Sequence, residues 1–509
     1  MTSYPDCPFS SSRERFEVLV SKLSGDATAD LEHGEVERVL ESDGRDVLRL
    51  LLQDHLFLRA EREKAAAAPV RGVDGVERTE VRSSARQLGT LFGNVGVQRL
   101  ALVKRGVAGG LRPLDARLNL PEGKYSDGVA RRLAWEVAQS SYDTAVANLH
   151  RSSGATIAKR QAEELAVKLT KDFEDFYLVQ PRETVSNGHL VVLSFDGCGV
   201  VMRPAGLRPG TRKKAKRGRR RSTAESAGAV GARQHGVRKN RKRMAEVAAV
   251  YDLEAVPRSP DDIVRELRQA GPHKQRPRAK NKRAWASLER AVPDVIDEAF
   301  VEAGLRDEAH NRRWVAIIDG NREQIQSTQA MAANYGVQVT IVVDFLHVLG
   351  YLWKAGKALV GAKPAAIEAW VADRSILILK GKCSSVAGGM RRSATRRCLR
   401  DTARKAVDDC ARYLLNHKNF LRYHEYLRDG LPIASGVIEG ACRSLVRDRM
   451  DITGARWGLP GGEAVLKLRS LRASGDLDDY LGFHARCELE RNHLSKFDQS
   501  ELLDLREAA

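Results

Sequence analysis

Hydrophobic residues in the first part of the chain recur at helical spacing. Over residues 13–68 the apolar positions return every three or four residues, and Pro69 follows the pattern, so this stretch predicts a helical N-terminal region. Residues 79–105 instead carry short β-type runs broken by glycine, which predict a small sheet or hairpin. The helical pattern then returns over residues 125–171.

Two helices in this third segment flank the glycine-containing turn SSGA. Their arrangement predicts a helix-turn-helix in which Thr156 caps the second helix. Lys159 and Arg160, early in that helix, would then face a DNA groove. An ordinary pair of packed helices has the same pattern, and both interpretations stay open at this point.

Strands and helices alternate in the middle of the chain, which predicts an α/β sheet. The run HLVVLSFDGCGVVMRP (189–204) predicts a strand that reaches Asp196, turns through Gly197 and Gly199, and returns as a second strand. The further predicted elements are a third strand at 244–254, helices over 260–306, strands that end at Asp319 and Asp344, and a largely helical part over 363–492.

Three acidic residues lie in predicted elements that could bring their side chains together. Asp196 lies in the first strand, Asp319 ends a later strand, and Glu439 lies on a C-terminal helix. Open α/β sheets bind ligands at the carboxyl ends of their parallel strands, where separated acids can converge. Converging carboxylates repel one another unless a cation lies between them. Oxygen ligands select Mg²⁺ or Mn²⁺, and a pair of such ions promotes phosphoryl transfer.

The stretch ASGVIEGACRSLVRDRM (434–450) places Glu439, Arg443 and Arg447 on one face of a predicted helix. An intrahelical ion pair is the simpler interpretation of this row. The functional interpretation gives the carboxylate to a metal ion and the two arginines to phosphate groups. The ion pair alone leaves the two aspartates at the predicted sheet unexplained.

The chain is strongly basic, with 85 Lys and Arg against 66 Asp and Glu among 509 residues, a net charge of +19. Such an excess favours a polyanionic partner. Residues 203–243 hold 16 Lys and Arg against one Glu. They predict an insert that is disordered when free and orders on a nucleic-acid backbone, with a solubilising loop as the alternative. The basic residues expected to contact DNA here are Arg212, Lys213, Lys214, Lys216, Arg217, Arg219, Arg220, Arg221, Arg238, Lys239, Arg241, Lys242 and Arg243.

The seven cysteines are scattered and form no C-x-x-C pair, so neither a disulfide framework nor a structural zinc site is indicated. His484, Cys487 and His493 are the nearest approach to a metal cluster, and helix-surface positions are the favoured interpretation. No run approaches the roughly 20 apolar residues of a membrane helix. We therefore expect a soluble, cytoplasmic protein with no membrane partner.

Five short segments, in this order, resemble one family. FDGCG, IIDGN, DFLH, SGVIEGACRSLVRDRM and TGARW resemble the DDE transposases of bacterial insertion sequences, specifically the ISKra group, relatives of the Mutator-like transposases. The resemblance covers roughly residues 80–492. It implies an RNase H-like catalytic core in an α/β chain, with a helical N-terminal DNA-binding region and a largely helical C-terminal part.

By this resemblance Asp196, Asp319 and Glu439 are the catalytic and metal-binding acids, with two Mg²⁺ or Mn²⁺ ions as the cofactor. Asp344 and His347 match the Asp-x-x-His signature that follows the second acid. Asp344 also ends a strand and stays open as the alternative second acid, and His347 stays open as a core histidine. Relatives often have a cysteine pair in the N-terminal β region, which LVKRGVAGGLRPLD lacks, so no zinc module is expected there.

Trp457, in the TGARW segment, has two interpretations. Its ring is suited to stacking on an unpaired or flipped base. It is equally suited to anchoring the end of the Glu439 helix as a buried side chain.

The resemblance implies a DNA transposase that cleaves the double-stranded ends of its element and joins them to target DNA, as a homo-oligomer associated with the nucleoid. Two alternatives stay open: an RNase H-like nuclease that cuts without joining, and a transposase-derived DNA-binding regulator or accessory protein. The expected segments are an N-terminal helical region (1–78), a small β module (79–120), a helix-turn-helix-like region (121–180), the first part of the core (188–359), a helical insertion (360–430), the core part with the Glu439 helix (431–492) and a tail (493–509).

Overall fold

The computed structural model describes residues 8–183, 185–186, 188–215, 241–268, 277–361, 363–452 and 454–500. The chain forms two compact units, Met1–Val179 with Gly475–Ala509, and Gln180–Ser474. The segment predicted over 431–492 is therefore divided between the units after Ser474. Across the described residues, no helix combines the length and the apolar character that crossing a membrane requires.

The first unit contains the N-terminal helices and the small β module that the hydrophobic pattern predicts. Its elements are α1 (Ser10–Ser24), α2 (Asp26–Ala29), α3 (His33–Ala65), β1 (Val70–Arg71), β2 (Glu77–Arg78), β3 (Glu80–Thr90), β4 (Gly93–Val103), α4 (Pro113–Arg117), α5 (Asp127–Gln139), α6 (Tyr142–Ser153), α7 (Lys159–Leu169), α8 (Phe173–Val179) and the C-terminal helix Leu477–Asn492.

The hairpin predicted over 79–105 is confirmed. Strands β3 and β4 pair antiparallel from Glu80 opposite Val103 to Thr90 opposite Gly93. Helix α3 packs against this hairpin, and the two share one apolar cluster, formed by Leu56, Leu88, Val95, Val97 and Leu120. The alternation of the strands and the helical stripe of α3 therefore meet in a common core.

The predicted helix cap at Thr156 is wrong. Helix α7 begins at Lys159 after Ala158 and has no side-chain cap. The preceding segment instead buries Ala155 and Ile157 in the core, and this packing delays the start of the helix. Ser126 and Ser141 do cap α5 and α6, with their hydroxyls accepting hydrogen bonds from backbone N–H groups.

The second unit has α/β architecture around one mixed sheet of five strands. Its elements are β5 (His189–Val201), β6 (Lys242–Glu254), α9 (Pro260–Leu267), β7 (Lys280–Ser287), α10 (Val292–Arg306), β8 (Trp314–Ile318), α11 (Arg322–Asn334), β9 (Val339–Val343), α12 (Phe345–Val360), α13 (Pro364–Leu379), α14 (Cys383–Arg396), α15 (Asp401–Asn416), α16 (Tyr423–Arg428), α17 (Gly436–Ala441), a π-helix (Cys442–Arg447), α18 (Asp448–Met450) and α19 (Leu459–Ser474).

The strand order of this sheet is β7-β6-β5-β8-β9. Strands β5, β8 and β9 run parallel, whereas β6 is antiparallel to both β5 and β7. The central strands β5 and β8 are nearly continuous apolar runs whose side chains are mostly buried, as expected of strands covered on both faces.

The predicted turn at Gly197 and Gly199 is wrong, because β5 continues as one strand to Val201. The two glycines serve close packing instead: a Cβ atom at Gly197 would lie 2.9 Å from the Met244 side chain, and one at Gly199 would lie 2.9 Å from Lys242. The strand that returns beside β5 is β6, so the basic insert itself joins the two strands.

Strand β7 lies within the region predicted to be helical over 260–306. It pairs with β6 from Ser287 opposite Glu246 to Arg283 opposite Val250, and it buries Trp285. Local periodicity does not distinguish this short run from a helix, and pairing with β6 decides its conformation.

Candidate active site

Two of the predicted acids lie level with each other on neighbouring parallel strands. Phe195 on β5 is in register with Ile318, the last residue of β8. Asp196 and Asp319 follow these partners and are both half-buried. The strand ends therefore bring together two acids that are more than a hundred residues apart in the chain, as predicted for the carboxyl edge of such a sheet.

The carboxylate of Asp196 is held from two directions. One oxygen accepts a hydrogen bond from the N–H of Gly197 at 2.7 Å, and the other accepts one from the thiol of Cys442 at 3.3 Å. The hydrogen bond with Cys198, together with burial and the Asp196 charge, raises the pKa of the Cys442 thiol. Cys442 therefore stays protonated and remains a donor to Asp196.

Asp319 lies in a tight turn between β8 and α11. Its carboxylate accepts a hydrogen bond from the N–H of Asn321 at 2.8 Å, and the Asn321 side chain caps α11. Gly320 has a φ of 90°, and a Cβ atom there would lie 2.8 Å from the Tyr413 hydroxyl. That hydroxyl donates to the Asp319 carbonyl at 2.7 Å. Helix α15, which carries Tyr413, thus fixes the backbone that presents the acid.

Asp344 is level with Asp319 but lies in a different environment. It follows Val343, the register partner of Ile318, and its side chain is buried. One carboxylate oxygen accepts a hydrogen bond from Leu346 N–H at 2.7 Å and caps α12. The other accepts one from Ser435 N–H at 3.2 Å. Both oxygens are therefore engaged with the backbone.

The hydrogen bond from Ser435 connects the strand ends to the Glu439 helix. The Ser435 hydroxyl caps α17 and also bonds to the Ser194 hydroxyl of β5 at 3.1 Å. Burial raises the pKa of the Asp344 carboxyl against the opposing effect of its backbone hydrogen bonds, and Glu439 adds to the rise. The Glu439 carboxylate is thus within electrostatic reach of this edge of the sheet, and its side chain is exposed.

The helical row of Glu439, Arg443 and Arg447 is interrupted by the π-helix. Because a π-helix bonds residue i to i+5, it changes the angular spacing that the α-helical pattern assumed. Within the described part of the chain Glu439 forms no ion pair, whereas exposed Arg443 lies 3.6 Å from Asp448. Arg447 interacts electrostatically with Asp196 and Cys198. The simple ion pair considered for Glu439 is absent from these residues.

Glu246 is a fourth acid at this edge, and the sequence analysis missed it. Burial raises the pKa of its carboxyl, Arg208 opposes the rise, and nearby Glu323, Asp196 and Asp319 add to it. The signal in the sequence is an acid near the start of the largely apolar strand MAEVAAVYDLE, ahead of the apolar run VAAVY. Its presence concentrates negative charge beside the two aspartates.

The carboxylates of Asp196, Asp319 and Glu439 do not gather closely enough to form a ready metal-binding group, in which all ligand atoms lie within 4.8 Å of one another. Among the described residues, Asp172, His484 and Glu488 of the first unit form the group whose ligand atoms all lie within 4.8 Å of one another. Arg491 forms ion pairs with both carboxylates of that group, so a side-chain cation already lies beside these two acids. The favoured helix-surface interpretation of His484 and His493 is wrong, because both side chains are buried. The alternative, a metal cluster with Cys487, is not among the ligand groups of the described residues, and the His493 ring bonds to the Leu120 carbonyl.

His347 is half-buried on α12 and interacts electrostatically with Asp344. Trp457 is buried, and its ring N–H donates to the Met450 carbonyl at 3.1 Å. The Arg449 guanidinium covers the Trp457 ring at 4.7 Å. The anchoring interpretation therefore describes Trp457, and its ring is not open for stacking on a base.

The expected DNA-contacting residues have different surroundings. Lys159 and Arg160 are exposed, with ion pairs to Asp143 and Glu164. At the start of the insert Arg212, Lys213 and Lys214 are exposed, and at its end Lys242 is exposed while Arg241 is half-buried. The expected contacts Lys216, Arg217, Arg219, Arg220, Arg221, Arg238 and Lys239 lie outside the described residues.

The prediction that the whole insert is disordered when free is wrong at Arg243. It lies in β6, and its guanidinium donates to the carbonyls of Leu288 at 2.5 Å and Gly206 at 3.1 Å. These bonds join the two ends of the insert to the sheet, so Arg243 has a structural role. A helix over 209–215 also forms part of the insert.

A scan of the sequence against protein-family models and a search of curated proteins both gave no match. The functional conclusion therefore depends on the residues and the geometry of this edge of the sheet.

Proposed function

We propose that this chain is a DNA transposase that cleaves and transfers DNA strands with Asp196, Asp319 and Glu439 as its acids. The observation that carries the proposal is the alignment of Asp196 and Asp319 at the ends of adjacent parallel strands. The Glu439 helix is connected to the same edge through the hydrogen bond from Ser435 to Asp344. A mixed sheet with acids at this edge also supports the RNase H-like core that the resemblance implies.

The side chains at this edge have the donor atoms that suit divalent metal ions. They offer carboxylate oxygens, which Mg²⁺ and Mn²⁺ prefer, and the raised pKa of Glu246 reflects in part the charges of Asp196 and Asp319. Asp196, Asp319 and Glu439 would hold the ions, and Glu246 is a further carboxylate beside them. When bound, such ions supply the positive charge that activates an attacking oxygen and stabilises a leaving one.

The chain's own residues then orient the acids and bind the DNA. Cys442 holds one oxygen of Asp196, and Asp344 holds the turn that precedes the Glu439 helix. Arg447 is an exposed cation beside Asp196 and is placed to bind a phosphate group of the substrate. The net charge of +19 favours double-stranded DNA as the partner.

The test is cleavage and strand transfer in Mg²⁺ on DNA that carries the element's own ends, with Asp196→Asn, Asp319→Asn and Glu439→Gln as the variants. We expect each variant to lose both activities by at least about a hundredfold while it still binds DNA, because removing a metal-binding charge acts on the chemical step. Glu308→Gln, an exposed acid in the same unit, is the matched control and should retain activity.

The products separate the alternatives. Cleavage without joining would replace the proposal with a structure-specific nuclease. Binding without cleavage by the unaltered protein, both in Mg²⁺ and in EDTA, would replace it with a DNA-binding regulator. Full activity of Glu439→Gln would remove Glu439 from the active site.

A further inference from the structure

Two cysteines from distant parts of the chain meet beside Asp196. Cys198 lies on β5, two residues after the acid, and Cys442 is the first residue of the π-helix. The two thiols are hydrogen-bonded to each other, and the Cys198 sulfur also lies 3.9 Å from the Cys442 carbonyl oxygen. The fold therefore holds the two sulfur atoms within reach of each other, although 244 positions separate them in the chain.

Both thiols are enclosed by the protein. Cys198 and Cys442 are 4% and 0% exposed, whereas the neighbouring Asp196 is half-buried and connects the pair to the open edge of the sheet. A bulky oxidant such as oxidised glutathione does not fit between these elements. Hydrogen peroxide is small and uncharged, so it is the class of oxidant that suits this pair.

The surroundings of the two sulfur atoms differ. The Arg447 guanidinium hydrogen-bonds to Cys198 and interacts with it electrostatically. A cation in this position stabilises the electron-rich sulfur of a reacting cysteine. The Cys442 thiol instead donates to the Asp196 carboxylate at 3.3 Å. Cys198 is therefore the thiol placed to react first, and Cys442 is the thiol placed to react with its product.

We propose that Cys198 and Cys442 are an oxidation site, at which hydrogen peroxide closes a reversible disulfide between β5 and the π-helix. The Cys198 sulfur attacks one peroxide oxygen, the O–O bond breaks, and the leaving oxygen departs as water with the thiol proton. The Cys442 sulfur then attacks the resulting sulfenic acid, the S–O bond breaks, and a second water leaves with the Cys442 proton. Two thiols are oxidised and one peroxide is reduced.

The disulfide would act on the strand-end acid beside it. Once Cys442 is oxidised, it has no thiol hydrogen to donate to Asp196. This effect rests on the proposed function, under which peroxide should slow DNA cleavage by about tenfold and dithiothreitol should restore the rate. Cys442→Ser keeps a donor but forms no disulfide, so the rate of this variant should not respond to peroxide.

Mass spectrometry of the full chain without DNA tests the disulfide itself. The folded protein is treated with increasing hydrogen peroxide, the remaining thiols are alkylated, and the chain is digested without reduction. We expect two peptides joined through Cys198 and Cys442, which dithiothreitol separates. Cys198→Ala should abolish this product. Cys398→Ala, at an exposed cysteine, is the matched control and should form it normally, and circular dichroism confirms that both variants fold.

The exposed Cys398 also reports whether the dose of peroxide is sufficient. Complete alkylation of Cys198 and Cys442 at doses that oxidise Cys398 would overturn the proposal, as would a disulfide from Cys198 to any other cysteine. A rate of cleavage that stays constant while the disulfide forms would overturn the effect on Asp196. A chain that cleaves no DNA before oxidation would refute the proposed function, and the mass spectra would still decide whether the disulfide forms.

Discussion

At the scale of single residues, the strand-end acids differ in how their carboxylates are used. Asp196 and Asp319 are half-buried, and both oxygens of Asp196 accept hydrogen bonds, from the Gly197 N–H and the Cys442 thiol. Asp344 is buried with both oxygens bonded to backbone N–H groups. Ending a strand with an aspartate therefore does not determine how accessible its side chain is, since the neighbouring elements bury each strand end to a different extent.

Cys442 is a positioning residue for Asp196 if the proposed function holds. Cys442→Ala removes the thiol donor at 3.3 Å and should lower kcat for cleavage by about tenfold, the equivalent of roughly 1.4 kcal/mol. Cys442→Ser keeps a donor and should retain more of the activity. Equal rates for the alanine and unaltered proteins would show that the hydrogen bond does not orient the acid.

Glu302 is a buried acid within a cluster of arginines. Its carboxylate pairs with Arg182 at 2.6 Å, Arg283 at 2.8 Å and Arg306 at 2.7 Å. Burial alone would raise its pKa, but the arginines outweigh burial and lower the pKa to about 2. Glu302→Gln should therefore reduce the free energy of unfolding by about 3 kcal/mol at neutral pH.

The lowered pKa of Glu302 also makes the free energy of unfolding depend on pH in a direction that can be predicted. Because the folded-state pKa of Glu302 is lowered, its contribution is fully present above the ordinary glutamate pKa of about 4.5 and is lost as the pH falls toward about 2. Urea unfolding of the two proteins at several pH values measures this difference. A difference that grows as the pH falls would contradict the assignment.

At the scale of elements, the π-helix and the turn before α17 decide where Glu439 and Arg447 lie. The turn is held by Ser435, which bonds to Ser194 and Asp344, so β5, β9 and α17 share one buried polar contact. The π-helix then brings Cys442 to Asp196. Neither feature has a clear signal in local periodicity.

Asp344→Ala should lower the stability of the fold, and not only the rate of catalysis, because it breaks the hydrogen bond from Ser435. It removes the cap of α12 and leaves the Ser435 N–H without its acceptor, so we expect a loss of about 2–3 kcal/mol in the free energy of unfolding. Asp319→Asn keeps an oxygen acceptor for Asn321 and should change stability by less than about 1 kcal/mol. Thermal unfolding of both variants distinguishes the structural acid from the proposed catalytic one. Equal stabilities would contradict the distinction.

At the scale of the whole molecule, the excess of positive charge predicts that the proposed DNA binding weakens as the salt concentration rises. Residues 216–240 hold eight Lys and Arg against one Glu. Replacing them with a neutral linker of equal length should weaken DNA binding and reduce the slope of log K against log salt by several units, with an upper limit of about 7. Glu308→Gln, which changes one exposed charge in the same unit as the insert, controls for a general change in surface charge. An unchanged slope would assign the insert to solubility alone.

Much of the fold follows from patterns within short segments. The 3.6-residue spacing of α3, the alternation in β3 and β4, and the apolar runs of β8 and β9 each specify a local conformation, because burying one face determines the period. The positions of Asp319 and Asp344 at strand ends follow from the same patterns. The choice of acids itself came from the resemblance of short motifs together with these positions.

Long-range pairing decided the rest. β5 continues through its glycines because β6 packs against it, β7 is a strand because β6 is its neighbour, and Trp457 is buried because its ring N–H reaches Met450. The sequence by itself determined where acids, basic runs and periodic segments occur, since these depend on neighbours in the chain. Only the tertiary structure decided which carboxylates stay open and that Glu246 joins them, because both depend on contacts between residues far apart in sequence.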